Sequence, residues 1–153
     1  MRLSTKAQYA VRAMVSLALN GGETPMSLKD ISVRENISLT YLEQLFVKLR
    51  RGEIVNSVRG PGGGYVLARP ADRIMVDQII DSVEESLVPV SCMDDDGTCS
   101  CVDQCVTHAV WHGLGEKIRQ FLAAISLEEL THDAQNRILR DRVDENQLAE
   151  DVR

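Results

Sequence analysis

The sequence contains no run of eighteen apolar residues, which excludes an evident membrane-spanning helix. Its amino terminus, MRLSTKAQYAV, lacks the apolar segment and small-residue cleavage site of a secretory signal, so a cytoplasmic protein with no membrane partner is expected. No serine, histidine and carboxylate arrangement stands out, and the glycines of 60–64 do not open a helix as a phosphate-binding loop does. An enzyme is therefore not expected. Cysteine is absent outside the stretch 92–105. In a reducing cytosol, four thiols gathered there point to metal binding or redox sensing more than to structural disulfides.

Acidic residues are scarce at the front. Residues 1–70 hold ten Lys/Arg against five Asp/Glu, whereas residues 71–153 hold seven against eighteen. The net charge of −6 thus belongs to the back half. A basic front joined to an acidic back is the asymmetry expected when one half meets phosphates and the other does something else. At 153 residues the chain suffices for one domain with a buried core, or for a small domain with a helical arm.

Along the chain, Thr5 and Gln8 form a capping-box pattern ahead of Ala10, Val11, Met14, Val15 and Ala18, which repeat at helical spacing until Asn20-Gly21-Gly22. A short second helix is expected from Ser27 to about Glu35-Asn36. After a turn, Leu42, Leu45, Phe46 and Leu49 mark a third, with Thr40 and Glu43 as a further capping box and Arg50-Arg51-Gly52 as its stop. This pair reads as a helix-turn-helix. Residues 54–58 and 65–67 read as short strands around Arg59-Gly60-Pro61-Gly62-Gly63-Gly64, a hairpin with an arginine at its tip. The fold class expected is mainly α with a small β-hairpin: a winged helix-turn-helix domain plus a long dimerisation helix.

Val76, Ile79, Ile80 and Val83 suggest a fourth helix, and Val106, Val110, Leu114, Ile118, Leu122 and Ile125 form a long stripe suited to a two-fold interface. The resulting division is 1–83 for winged helix-turn-helix DNA binding, 84–105 for a metal-binding loop, 106–130 for a dimerisation helix and a short terminal turn at Ser126–Leu130, and 131–153 for a disordered polar tail.

The loop SCMDDDGTCSCVDQCVTH carries Cys92, Cys99, Cys101 and Cys105, with His108 three residues past the last. On a helix beginning near Cys105 a residue three further on projects from the same face, so His108 can join Cys105 at one metal site. Three thiolates and one imidazole then suit a soft metal, zinc included; a disulfide pair and free thiols are the alternatives. His112 and His132 read as solvated, Trp111 as packing beside the dimer helix, and Met14 and Met75 as core.

Together, MRLSTKAQYAVRAM, ISLTYLEQLF, SVRGPGGGY and CVTHAVW resemble the iron-sulfur cluster regulator (IscR) family of bacterial winged-helix repressors over residues 1–130. The resemblance implies a homodimeric transcription regulator on a pseudo-palindromic double-stranded DNA operator, with one 2Fe-2S cluster per subunit supplied by the cluster-assembly machinery whose genes it controls. Carried over by position, the cluster ligands are Cys92, Cys99, Cys105 and His108. The DNA-contacting residues are Thr40, Tyr41, Glu43 and Gln44 on the recognition helix and Arg59 and Gly60 on the wing. Two features depart from the family pattern: the first cysteine gap is one residue longer, and Cys101 is an additional thiol. Cys101 therefore stands as a substitute for Cys99, or as a partner for a disulfide after cluster loss. A thiol-redox, zinc or nitric-oxide responsive repressor on the same scaffold is the competing expectation; a nitric-oxide-sensing relative shares the three cysteines but not this histidine pattern.

Overall fold

The computed structural model describes residues 4–83, 86–90 and 105–151. Its first helix, α1 (Thr5–Asn20), starts one residue earlier than the Thr5–Gln8 pattern implies, because extended Ser4 is the residue whose hydroxyl accepts from the Lys6 N–H at 3.1 Å. Ala7, Ala10, Met14 and Leu17 follow at steps of three and four and are buried, as are Ala13 and Ser16. Three of these are alanines, so neighbours can approach the α1 backbone closely.

Helix α2 (Leu28–Glu35) begins as expected at Ser27, which accepts from the Asp30 N–H at 3.1 Å and donates to the Asp30 carboxylate at 2.7 Å. Asn36 ends it in the left-handed conformation, φ 52° and ψ 49°, a geometry asparagine tolerates better than most residues. Two residues later Ser38 caps α3 (Leu39–Arg51), accepting from the Tyr41 N–H. The expected Thr40–Glu43 capping box is thus displaced: Thr40 already lies inside the helix. Leu42, Leu45, Phe46 and Leu49 are buried, and Lys48, Arg50 and Arg51 occupy the last turn, where the helix dipole favours cations.

The chain then forms an antiparallel hairpin, β1 (Val55–Val58) with β2 (Gly64–Leu67), in the register Val55↔Leu67 to Val58↔Gly64. Tyr65 also exchanges two backbone hydrogen bonds with Met26, at 2.9 and 3.0 Å, and its ring meets buried Phe46 at 4.8 Å between centroids. The hairpin is thereby seated on the segment that leads into α2. A short 3-10 turn (Ala71–Arg73) precedes α4 (Val76–Ser82), whose Ile79 and Ile80 are buried. At its far end α4 closes on α3: a Cβ added at Gly52 would lie 2.3 Å from the Ser82 hydroxyl oxygen.

Helix α5 (His108–Ala123) buries none of its side chains, although Leu122 and the following Ile125 pack partly against Ala7, Val76, Ile80 and Leu87. The corner after it is stitched back to the front of the chain, Leu127 N–H to Ile74 C=O at 2.8 Å and Val76 N–H to Ile125 C=O at 3.0 Å. Leu127 enters the main core with no exposed surface. Residues of the expected DNA-binding and dimerisation segments therefore share one core.

Over the described residues the expectation of a disordered tail from 131 is corrected: α6 runs from Leu127 to Asp151. Its cause is local and tertiary at once. Ser126 and Glu129 form a capping box, with Ser126 N–H to the carboxylate at 2.8 Å and Glu129 N–H to the hydroxyl at 3.2 Å. Leu127 then anchors the helix while its first turns lie along α1. Further on, Ile138, Leu139 and Val143 are exposed, which is why no buried stripe was legible there.

Gly64 is the tightest contact between hairpin and helix pair, since a Cβ there would lie 2.3 Å from the Met26 carbonyl oxygen. Gly64→Ala is expected to lower stability by about 1–3 kcal/mol in chemical denaturation, and an unchanged midpoint would mean the hairpin is not held at Met26.

Candidate nucleic-acid interface and thiol-imidazole site

The capping by Ser38 leaves Thr40, Glu43 and Gln44 exposed on the first turns of α3, with Tyr41 half-buried among them. The Tyr41 ring meets Tyr9 of α1 edge-on, centroids 5.8 Å apart. Arg59 and Gly60 are exposed at the hairpin tip. Gly60 has φ 103°, a conformation L side chains rarely adopt, and its carbonyl accepts from Gly63 N–H at 2.9 Å. The tip therefore presents backbone and one guanidinium with little else in the way.

Sequence reasoning missed three residues around this face. Lys6 of α1 and Lys48 of α3 line, with Tyr41 and Gln44, a cleft of about 110 Å³ beside the exposed face of α3. Arg12 of α1 donates to the Glu35 carbonyl at 2.6 Å and to its carboxylate at 3.3 Å, while its guanidinium lies 5.5 Å from the Tyr9 ring centre. It thus holds the end of α2 where the chain turns into α3, and favours the negative end of that helix dipole. The front half's charge excess signalled cations here, but only the packing of α1 against the helix pair identifies which ones.

The expected helix beginning near Cys105 is corrected: α5 begins at His108 with Thr107 at its cap, so Cys105 lies in the turn before the helix, where its carbonyl accepts from the His108 N–H at 3.1 Å. Cys105 Sγ lies 3.4 Å from the Thr107 hydroxyl oxygen. That hydroxyl and then the Thr107 N–H hold the thiol below its ordinary pKa; desolvation opposes them, and the His108 N–H adds a smaller lowering effect. A thiol so placed favours the thiolate, the form that ligates metal. A thiol and an imidazole three residues apart are donors of the kind a soft-metal or iron-sulfur site takes. Cys92, Cys99 and Cys101 lie outside the described residues, and among the described ones no group of three His, Cys, Asp or Glu forms a metal-binding set.

A family model described as Rrf2, iron-dependent transcriptional regulator, matches residues 3–133. The chain belongs to the Rrf2 family. It is 50% identical over 144 residues to the HTH-type transcriptional regulator IscR of Xenorhabdus nematophila, covering 94% of this chain and 87% of that one. Among solved structures it is similar to T. potens IscR, at 40% identity and TM-score 0.72 over 88% of both chains. It is also similar to CymR, the global cysteine regulator of B. subtilis, at 34% identity and TM-score 0.70 over 86% of this chain and 97% of that one. As a member of the Rrf2 family the protein is a transcriptional regulator of IscR type, not an enzyme, and its helices and hairpin are the winged-helix fold expected from sequence. Among the described residues, no helix is long and apolar enough to cross a membrane.

The lowered pKa of Cys105 has a direct readout. Alkylation of Cys105 against pH, followed by peptide mass spectrometry, is expected to show a midpoint below that of the same cysteine in the denatured chain. Thr107→Val should move that midpoint upward; an unmoved midpoint would mean the hydroxyl does not stabilise the thiolate.

Proposed function

We propose that this Rrf2 protein senses iron-sulfur cluster status through a 2Fe-2S cluster held by Cys92, Cys99, Cys105 and His108, and controls cluster-assembly genes accordingly. The observation that carries the proposal is the single turn joining Cys105 to His108, closed by the His108 N–H to the Cys105 carbonyl, with the thiol pKa held below its ordinary value by Thr107. Similarity to relatives named IscR supports the same reading. Cys101 is the alternative to Cys99 as second ligand. When bound, the cluster supplies a labile, oxidation-sensitive group whose presence reports on assembly capacity. His108 in place of a fourth thiolate removes one negative charge from the ligand set and makes ligation sensitive to protonation of the ring.

On the DNA side, Glu43 on exposed α3 can accept from cytosine N4 and repels other acceptors, and Gln44 can pair with adenine N6 and N7. Thr40 and Tyr41 reach phosphate or base edges from the same turns, and Lys6 and Lys48 add cations beside them. Arg59 beside Gly60 suits a narrow minor groove. The protein acts in the cytoplasm as a homodimer on a pseudo-palindromic operator, receiving its cluster from the assembly machinery. Support for the dimer comes from α5, where Val110 is 60% exposed, Leu114 44% and Phe121 66% in the single chain, with Val106 at 94% in the turn just before it. An apolar row this open suits a second copy of the same helix.

The similarity to the cysteine regulator CymR favours one second reading, a thiol or zinc switch on the same scaffold. One experiment separates the two. Protein purified without oxygen is expected to absorb at roughly 400 to 600 nm and to hold iron and acid-labile sulfide in equal amounts, about two of each per chain. A colourless, iron-free chain with or without zinc would contradict the cluster and leave the thiol or zinc switch.

A further inference from the structure

His112 reads from sequence as a lone solvated histidine, yet the structure makes it one of a pair. It lies one helical turn beyond His108 on the same face of α5, with the two ring centroids 6.2 Å apart and the planes tilted by 36°. His112 is exposed and His108 half-buried, and no hydrogen bond to a described residue occupies either ring. His112 also lines a cleft of about 180 Å³ between α5 and the segment at Pro89, together with Glu116 and Arg119. Arg119 is engaged by Asp81 of α4 at 3.1 Å, which offsets its positive charge. Glu116, one further turn along, leaves the mouth of this cleft favourable to a cation.

Two imidazoles at i and i+4 on one helix face are a chelating pair for borderline divalent metals, which prefer nitrogen donors. Metal–nitrogen bonds of about 2.0–2.1 Å require the rings to close by about 1 Å, a movement that side-chain rotation at an open surface supplies. Glu116 lines the same cleft as His112, and a carboxylate that reaches the outer nitrogen of a ligating ring raises its basicity.

We propose that His108 and His112 form a binding site for a borderline divalent cation of the nickel, copper(II) or zinc class, available when His108 is not engaged by a cluster. The cation would then take the ring that the cluster also needs, so that divalent metal and cluster exclude each other at His108. This second consequence rests on His108 being a cluster ligand; the site itself does not.

The probe is Ni²⁺, titrated by calorimetry into the full chain with its thiols blocked by iodoacetamide, so that cysteine cannot compete. One ion per chain is expected, with His112→Ala weakening binding by about tenfold or more through loss of the second, intramolecular donor. His132→Ala, which removes the third histidine of the chain, is expected to leave the affinity unchanged. Equal affinity in wild type and His112→Ala, or an equal loss in His132→Ala, would overturn the site. Iron and sulfide uptake by His108→Ala separates the two readings. A full complement in that variant overturns the cluster ligand and the mutual exclusion, whereas the Ni²⁺ titration alone decides the imidazole pair.

Discussion

Three alanines on one helix set the distances at which the rest of the molecule packs. Ala7, Ala10 and Ala13 of α1 have at most 1% of their surface exposed, and α2, α3, α4, α6 and β2 all meet this helix. Side chains no larger than a methyl group let five elements close on one backbone, and larger ones would push the elements apart in a core packed to near-crystalline density. Arg12 adds a polar fastening from the same helix to the end of α2. Position and tilt of α3 are therefore referenced to α1, and so are those of α4 and α6.

Under the proposed ligation, that shared reference would connect the cysteine segment to α3 and the hairpin. Its root follows Ser82 and buried Val83, and Ser82 stands against Gly52 at the end of α3 with no room for a side chain between them. Its other end reaches α5 through the turn from Cys105 to His108, and the α5–α6 corner is bonded back to Ile74 and Val76 beside the same core. A change in how the segment is tied at Cys105 and His108 thus has rigid contacts to act on at both ends. Two packings of α4 against Gly52, biased by ligation, would be enough to present α3 and the wing differently. The wing adds a second lever, because β2 is bonded to Met26 at the entrance to α2.

Much of this was legible from local pattern. The periodicity of Leu42, Leu45, Phe46 and Leu49, the Ser27 cap and the glycine-rich turn after Val58 each arise from nearest-neighbour physics, and the structure reproduces them. The caps of α1 and α3 shifted because serine lay just upstream of the threonine in each case, and backbone conformation decides which hydroxyl is used. Helix α6 was missed since only its first turns find buried partners; the Ser126–Glu129 box was the available signal. Arg12, Lys6 and Lys48 required tertiary contacts that no one-dimensional pattern carries. His112 was visible as a residue, but its significance lies in the turn separating it from His108. The placement of Cys92, Cys99 and Cys101 lies outside the described residues, so the choice between Cys99 and Cys101 still rests on spacing.

The central claim is that ligation at Cys105 and His108 changes what α3 and the wing prefer on DNA. Its most direct measurement is a set of equilibrium titrations against a panel of operator duplexes at fixed salt, using the same preparation first loaded with cluster and then emptied without oxygen. A changed ranking of operators between the two states is expected, beyond any common shift in affinity. Identical rankings and affinities in both states would contradict it.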